Sequence, residues 1–407
     1  MEPLTHLCAA WPTSAKEEVY WQSIRNQYMI APDEIYLNTG SFGSQPKPVF
    51  EKMLEILEDV ERSPTRHRGK YYGVVDNARA RLGSFINAPA EDIAFAANVT
   101  MAINMAVHGL DWRPGDEILA SNQEYGAIDN CLHLAERRRG VVVKRAQIPI
   151  LPERPEDILN AFDHEFTDRT KLVLCSHITT GTGLITPIKA LARLAHDRGA
   201  LIVVDGAHAP GMIPLDLLDL GCDFYGGNCH KWLCAPKGTG FLYASPAGQE
   251  QLNHVVVSWG YSREGAQRGA DGILRINDRP FMWGIENWGT RDQACFAAVG
   301  TAIEFQEAIG KERIRQRGRQ LAAYLRDQLA ATGWAKQLTP SAPALSGSIS
   351  AFHLSGFDDL DLYKRYRITV PTAKSDAGHW MRVSTHICNG FDHVDLLVDA
   401  LQELRNE

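Results

Sequence analysis

Between residues 116 and 244 the chain alternates short, apolar, β-branched runs with longer segments whose apolar residues recur every three to four positions. The short runs are DEILAS (116–121), VVVKRAQI (141–148), KLVLCSH (171–177), ALIVVDG (200–206) and GTGFLYA (238–244). Helical spacing marks GAIDNCLHLAERRRG, RPEDILNAFDHEF and PIKALARLAHDRG between them. Nearly unbroken apolar strands separated by helices predict a parallel sheet covered on both faces, an α/β fold. Further on, REGAQRGADGILRINDRP (around 262–280) is polar and irregular and predicts a long loop or domain boundary. A long helical pattern follows, from ACFAAVGTAIEF to LRDQLAATG, and a smaller α+β tail over about 335–407 ends the chain. The expected organisation is an N-terminal segment (1–35) packed on both domains, a large domain (36–290), and a long helix with a small C-terminal domain (291–407).

At 407 residues the chain is too long for one simple core, which agrees with two domains. A net charge of -7 argues against nucleic acid as a main partner. No apolar run approaches the length of a membrane span. The opening MEPLTHLCAAWPTSA has Glu2 where a signal peptide carries positive charge, so the expected location is the cytoplasm. None of the eight cysteines forms a CxxC pair, and Cys222, Cys229 and Cys234 lack zinc-site spacing, so no metal is expected.

Two segments carry candidate chemistry. The first, TTGTGLITP before a helix with Asp205 ending the next strand, has part of a dinucleotide fingerprint. Thr186 stands at its third glycine position, where a branched side chain spoils close helix–strand packing, so a nicotinamide enzyme is the weaker reading. The second is DFYGGNCHKW, which places Lys231 after a strand and 26 residues beyond Asp205. Pyridoxal phosphate needs an amine, an acid for its ring nitrogen, a phosphate cradle and a flat surface under the ring. Lys231 is the candidate amine for the Schiff base, made accessible in neutral form by partial desolvation. Asp205 is the candidate acid. Asn98, Val99 and Thr100 open a helix whose N-terminus suits a phosphate. Tyr125 is the candidate flat face.

These motifs, in this order, resemble the fold-type I pyridoxal phosphate enzymes of the class V aminotransferase group. The resemblance covers nearly the whole chain and is strongest to the isopenicillin N epimerase-like branch. It is carried by YLNTGSFGSQP, NVTMAIN, SHITTGTGLITP, DGAHAPG, NCHKW, NWGTRD and RVSTHICN. It implies a large domain with a mainly parallel seven-stranded sheet, a small α+β C-terminal domain, and a homodimer with shared active sites. It implies that Asn228 and His230 help hold the phosphate and that Thr290 reaches it from the neighbouring subunit. His208 and Thr180 would lie near the cofactor ring and its phenolic oxygen, and Arg382 would grip the substrate carboxylate. Asn38 and Thr39 would stand near the substrate mouth. Thr39 departs from the family's usual NHGSFG, which points away from the penicillin precursor itself as substrate.

The family chemistry begins when a substrate amine displaces Lys231 from the cofactor, giving an external aldimine, and the freed lysine takes the Cα proton. Epimerisation, C–S lysis and transamination then diverge, and all three stay open. A desulfurase would need a cysteine in VPTAKSDAGHWMR, which has none. An epimerase would need a second acid–base group opposite Lys231, for which Tyr71, Tyr72, His177 and His379 are arguable.

Overall fold

The computed structural model describes residues 14–357, 360–375 and 378–406, so most of the opening stretch, with Glu2 and Cys8, lies outside it. Its centre is a seven-stranded sheet of β1 (Ile93–Ala96), β2 (Glu117–Ser121), β3 (Val142–Ala146), β4 (Thr170–Ser176), β5 (Leu201–Gly206), β6 (Phe224–Asn228) and β7 (Gly240–Ala244). The strand order is β1-β7-β6-β5-β4-β2-β3. Only β7 runs against its neighbours β1 and β6; the remaining pairs are parallel.

The strands read as continuous apolar runs because both faces are covered. Phe95, Leu119, Val173, Val204, Tyr225 and Phe241 face one layer of core, with helices Lys47–Arg62, Pro64–Ile86 and Gln293–Ile309 over them. Their neighbours Ala94, Ile118, Leu174, Val203, Phe224 and Leu242 face the other, under helices Val99–Gly109 and Gly126–Arg139. Successive side chains on a strand point to opposite faces, so each strand feeds both cores at once.

The C-terminal region holds a four-stranded antiparallel sheet in the order Ala335–Gln337, Ile349–Leu354, Gly378–Ser384, Thr372–Ser375. Helices Lys311–Ala330 and Phe391–Asn406 close its core through Leu325, Leu329, Val394, Leu397 and Leu401.

Two expectations need correction. The single long helical pattern is two helices, broken at Gly310, whose φ of +101° suits glycine better than any residue with a Cβ. The segment expected as an irregular loop contains a small three-stranded antiparallel sheet of Gln267–Arg268, Leu274–Ile276 and Arg279–Pro280. The polar side chains suggested a loop because these strands are short and largely exposed.

Helix Ser14–Arg25 buries Trp21 and Ile24 against Phe305, Ile309 and Ile314, and Glu18 pairs with the buried Arg317. No helix among the described residues is long and apolar enough to cross a membrane.

Candidate active site

The carboxyl ends of the parallel strands converge on a cavity of about 310 Å³. Asn98, Val99, Thr100, Tyr125, Thr180, Asn228, His230, Lys231 and Arg382 line it, together with Gly40, Ser41, Phe42 and Ala207. Nine residues named from the sequence therefore share one space, although they are drawn from five separate stretches of chain.

Lys231 follows β6 in a tight turn, its carbonyl accepting from the Cys234 amide at 3.1 Å. Gly43 lies directly against that turn: a Cβ there would stand 2.0 Å from the Lys231 carbonyl oxygen. Burial draws the Lys231 pKa down to about 8; Asp205 opposes the shift and Arg382 adds to it. A quarter to a half of such an amine is neutral near pH 8, so a nucleophilic form is at hand.

Asp205 is buried at the end of β5 and accepts from the Ala207 amide at 2.9 Å. Burial raises its pKa, against the Ala207 amide and Lys231, which lower it. His208 beside it is fixed at both nitrogens. Trp232 Nε1–H donates to Nδ1 at 3.2 Å, so Nε2 carries the proton and donates to Thr180 Oγ1 at 3.1 Å. Burial, Lys231 and Arg382 hold the His208 ring well below its ordinary pKa, hence neutral.

Asn98 caps helix Val99–Gly109, its side chain accepting from the Met101 amide. The Val99 amide is engaged by Asn228 Oδ1 at 2.8 Å, which ties β6 to the helix start. Val99 and Asn228 are thus partners of one another at the cavity wall. His230 Nδ1–H donates to the Thr239 carbonyl at 3.1 Å, which fixes its ring.

Arg382 enters from strand Gly378–Ser384 of the small domain and is 3% exposed. Its Nη2 donates to Ser41 Oγ (2.8 Å) and Asn38 Oδ1 (3.2 Å), and Nη1 to the Thr180 carbonyl (3.4 Å). Nε has no partner. Every partner is neutral, and burial lowers the Arg382 pKa to about 10. A buried guanidinium without a carboxylate is costly unless a ligand supplies one.

Two residues named from the sequence, Thr39 and Thr290, lie elsewhere. Thr39 is 1% exposed and its hydroxyl turns to Cys388, so Gly40, Ser41 and Phe42 form this wall instead. Thr290 is exposed and does not line the cavity of its own chain. The TTGTG stretch is a turn closed by the Ile178–Ile185 bridge and pressed on the small domain, where a Cβ on Gly183 would lie 2.8 Å from Ile349. Sequence reading missed Ser41 and Trp232, which hold Arg382 and His208, although both lie inside quoted motifs. It also missed Glu124, clasped by Ser121 and by the Ser176 hydroxyl (2.6 Å) and amide (3.2 Å). Burial raises the Glu124 pKa to about 7.

The class-V aminotransferase family model matches residues 35–397. The chain belongs to that family. Isopenicillin N epimerase of Amycolatopsis lactamdurans is 37% identical over 94% of this chain and 98% of its own. The enzyme of the same name from Streptomyces clavuligerus is 34% identical over 95% and 99%. The fold matches that of a C-DES mutant with glycine covalently linked to its pyridoxal phosphate cofactor, with a TM-score of 0.83 at 21% identity over 93% of this chain and 99% of that one. This class-V chain is accordingly a pyridoxal phosphate-dependent enzyme. The cavity suits that cofactor: an amine of lowered pKa and a helix N-terminus line it, and the buried Asp205 carboxyl, though not in the lining, lies within electrostatic reach of the amine.

Proposed function

We propose that the protein is an amino-acid epimerase of the isopenicillin N epimerase kind, acting at Cα of an amino acid or of a peptide that carries one. The observation that carries this reading is the buried Arg382, whose unpaired Nε and neutral partners face the same cavity as Lys231. Lys231 would tether pyridoxal phosphate, and Asp205 would hold the proton on its ring nitrogen. Asn98, Val99, Thr100, Asn228 and His230 would surround its phosphate, and Tyr125 would cover one face of the ring. His208, neutral and fixed, would sit with Thr180 beside the phenolic oxygen. Once bound, pyridoxal phosphate supplies an electron sink that acidifies the Cα–H bond of an amino acid.

Arg382 can exchange its neutral acceptors for a substrate carboxylate, a charge-assisted pairing that also fixes the orientation of Cα. Lys231 then takes the Cα proton, a transfer favoured by a pKa close to working pH. Desulfurase chemistry is disfavoured. Among the described residues no cysteine lines the cavity, and Cys388 is buried against His386, with burial pushing its thiol pKa up to about 12.

A homodimer with shared active sites belongs to this reading, as does a cytoplasmic location. Trp259 is 89% exposed beside the exposed Val255, Val256, Val257 and Tyr261, an apolar face that a second copy would cover. Thr290 would then serve the neighbour's phosphate.

Proton NMR of the cofactor-loaded enzyme in deuterium oxide, with isopenicillin N, L-amino acids and cysteine conjugates, tests the proposal. Deuterium at Cα with a growing D-isomer is expected. A keto acid, pyruvate or a released sulfur species would replace the epimerase with a transaminase or a lyase.

A further inference from the structure

Epimerisation requires one group to remove the Cα proton and a proton to arrive on the opposite face. Resting on the epimerase reading above, the geometry points to Tyr125 as the second acid–base group, its hydroxyl delivering that proton from across the cavity. The arguable residues from the sequence are engaged elsewhere. Tyr71 donates to Asp59 of helix Lys47–Arg62 at 2.7 Å and does not line the cavity. His177 is bonded to the Tyr225 hydroxyl at 2.9 Å, and burial holds its pKa at about 4. Tyr72 lines a separate cleft with Arg279, Trp283 and Glu286. His379 lies buried in the small-domain sheet and does not reach the cavity.

Among the described cavity-lining residues, Tyr125, His230, Lys231 and Arg382 carry titratable side chains, while the hydroxyls of Ser41 and Thr180 are engaged by Arg382 and His208 and Thr100 stands at the helix start proposed for the phosphate. His230 is fixed on the Thr239 carbonyl, and Arg382 is committed to the carboxylate. Tyr125 remains, and its hydroxyl has no hydrogen-bond partner among the described residues.

Topology places it across the cavity from the lysine. Lys231 follows β6 and Tyr125 follows β2, with β5 and β4 between them. Three strand spacings of ~4.8 Å separate the two strand ends by roughly 14 Å, room for a ring and a Cα between the two side chains. Tyr125 also lies within electrostatic reach of Arg382, which lines the same cavity. Its 47% exposure lets it regain a proton from water. The balance closes: Lys231 gains the proton taken from one face, Tyr125 loses the proton given to the other, and both reset by exchange with solvent. Run in reverse, Tyr125 is the base and Lys231 the acid.

The test uses holoenzyme carrying Tyr125→Phe, which keeps the flat ring and removes the exchangeable proton. Its cofactor absorbance and cofactor retention on dialysis should equal those of the wild type. Isopenicillin N and the L-amino acids, with their D counterparts, are then incubated in deuterium oxide. The expected result is Cα exchange that survives for one enantiomer alone, with interconversion lowered ~100-fold or more. Unchanged interconversion would overturn the assignment and leave the epimerase intact. A wild-type enzyme that yields a keto acid or sulfur product, with no D-isomer from any compound, would overturn both. Equal loss of exchange for both enantiomers, with altered absorbance, would reduce Tyr125 to a support for the cofactor and refute its acid–base role.

Discussion

Replacing Lys231 by Met should make the cofactor-free protein more stable at neutral pH. Burial is the main force that depresses the lysine, from 10.5 to about 8, with Asp205 opposing and Arg382 reinforcing it. That difference corresponds to about 3 kcal/mol of unfavourable charge in the folded state. The sign follows from proton binding. Between pH 8 and 10.5 the unfolded chain holds the Lys231 proton and the folded chain does not, so wild-type stability rises with pH across this window. Below pH 8 the full cost is present; above 10.5 it has gone. Methionine fills similar space and carries no charge. After removal of pyridoxal phosphate from the wild type, thermal unfolding of both proteins at pH 7, 8.5 and 10 should show the variant melting a few degrees higher at pH 7. The gap should narrow steadily towards pH 10. A variant less stable at pH 7, or a gap indifferent to pH, would refute the view that Lys231 sits in a site built for its neutral form.

Arg382→Lys keeps the charge and loses the planar fork, so affinity for a carboxylate ligand should fall by ~30-fold or more while cofactor absorbance stays unchanged; titration with an unreactive amino acid analogue measures this. In Gly43→Ala the new methyl would meet the Lys231 carbonyl, at 2.0 Å, and the Cys234 thiol, at 3.0 Å, so the lysine turn must move. Cofactor should then be lost on dialysis that leaves the wild type loaded. Glu286 is 3% exposed, accepts from Arg79 at 2.7 Å and from the Phe95 amide at 2.8 Å, and pairs with Arg291. Glu286→Ala strands these donors and should cost about 3–5 kcal/mol in thermal unfolding, more than a double variant that also replaces Arg79 by Met.

Five of the seven strands of the central sheet were legible as short, mostly apolar runs. Two were not read as strands. Ile93–Ala96 has only four residues and runs almost directly into a helix. Phe224–Asn228 carries Gly226 and Gly227, poor strand formers by propensity. The fold requires them: a Cβ on Gly226 would crowd Val99, Ile103 and Ala102, and one on Gly227 would strike Phe241 at 2.4 Å. Close packing, invisible in a linear string, overrides propensity there. The candidate site was legible where the chemistry expected of it calls for a particular residue type next to a strand end, as for Lys231 and Asp205. It was not legible where partners lie hundreds of residues apart, as Arg382 does from Asn38 and Ser41, or where a side chain turns inward, as Thr39 does to Cys388.

The turn around Gly183, which imitates a nucleotide loop on paper, is gripped by the C-terminal region at successive positions. Trp380 donates to the Gly181 carbonyl, Thr339 to that of Thr182, Ile185 to that of Leu345, and Arg382 to that of Thr180. During synthesis the ribosome therefore delivers the two halves of the site in sequence. Lys231, Asp205 and the helix start at Asn98, Val99 and Thr100 are all translated by the end of β7, while Arg382 and the residues that hold this turn emerge later. Arg382 can therefore meet Asn38 and Ser41, its partners from far upstream, only after everything between them has been made.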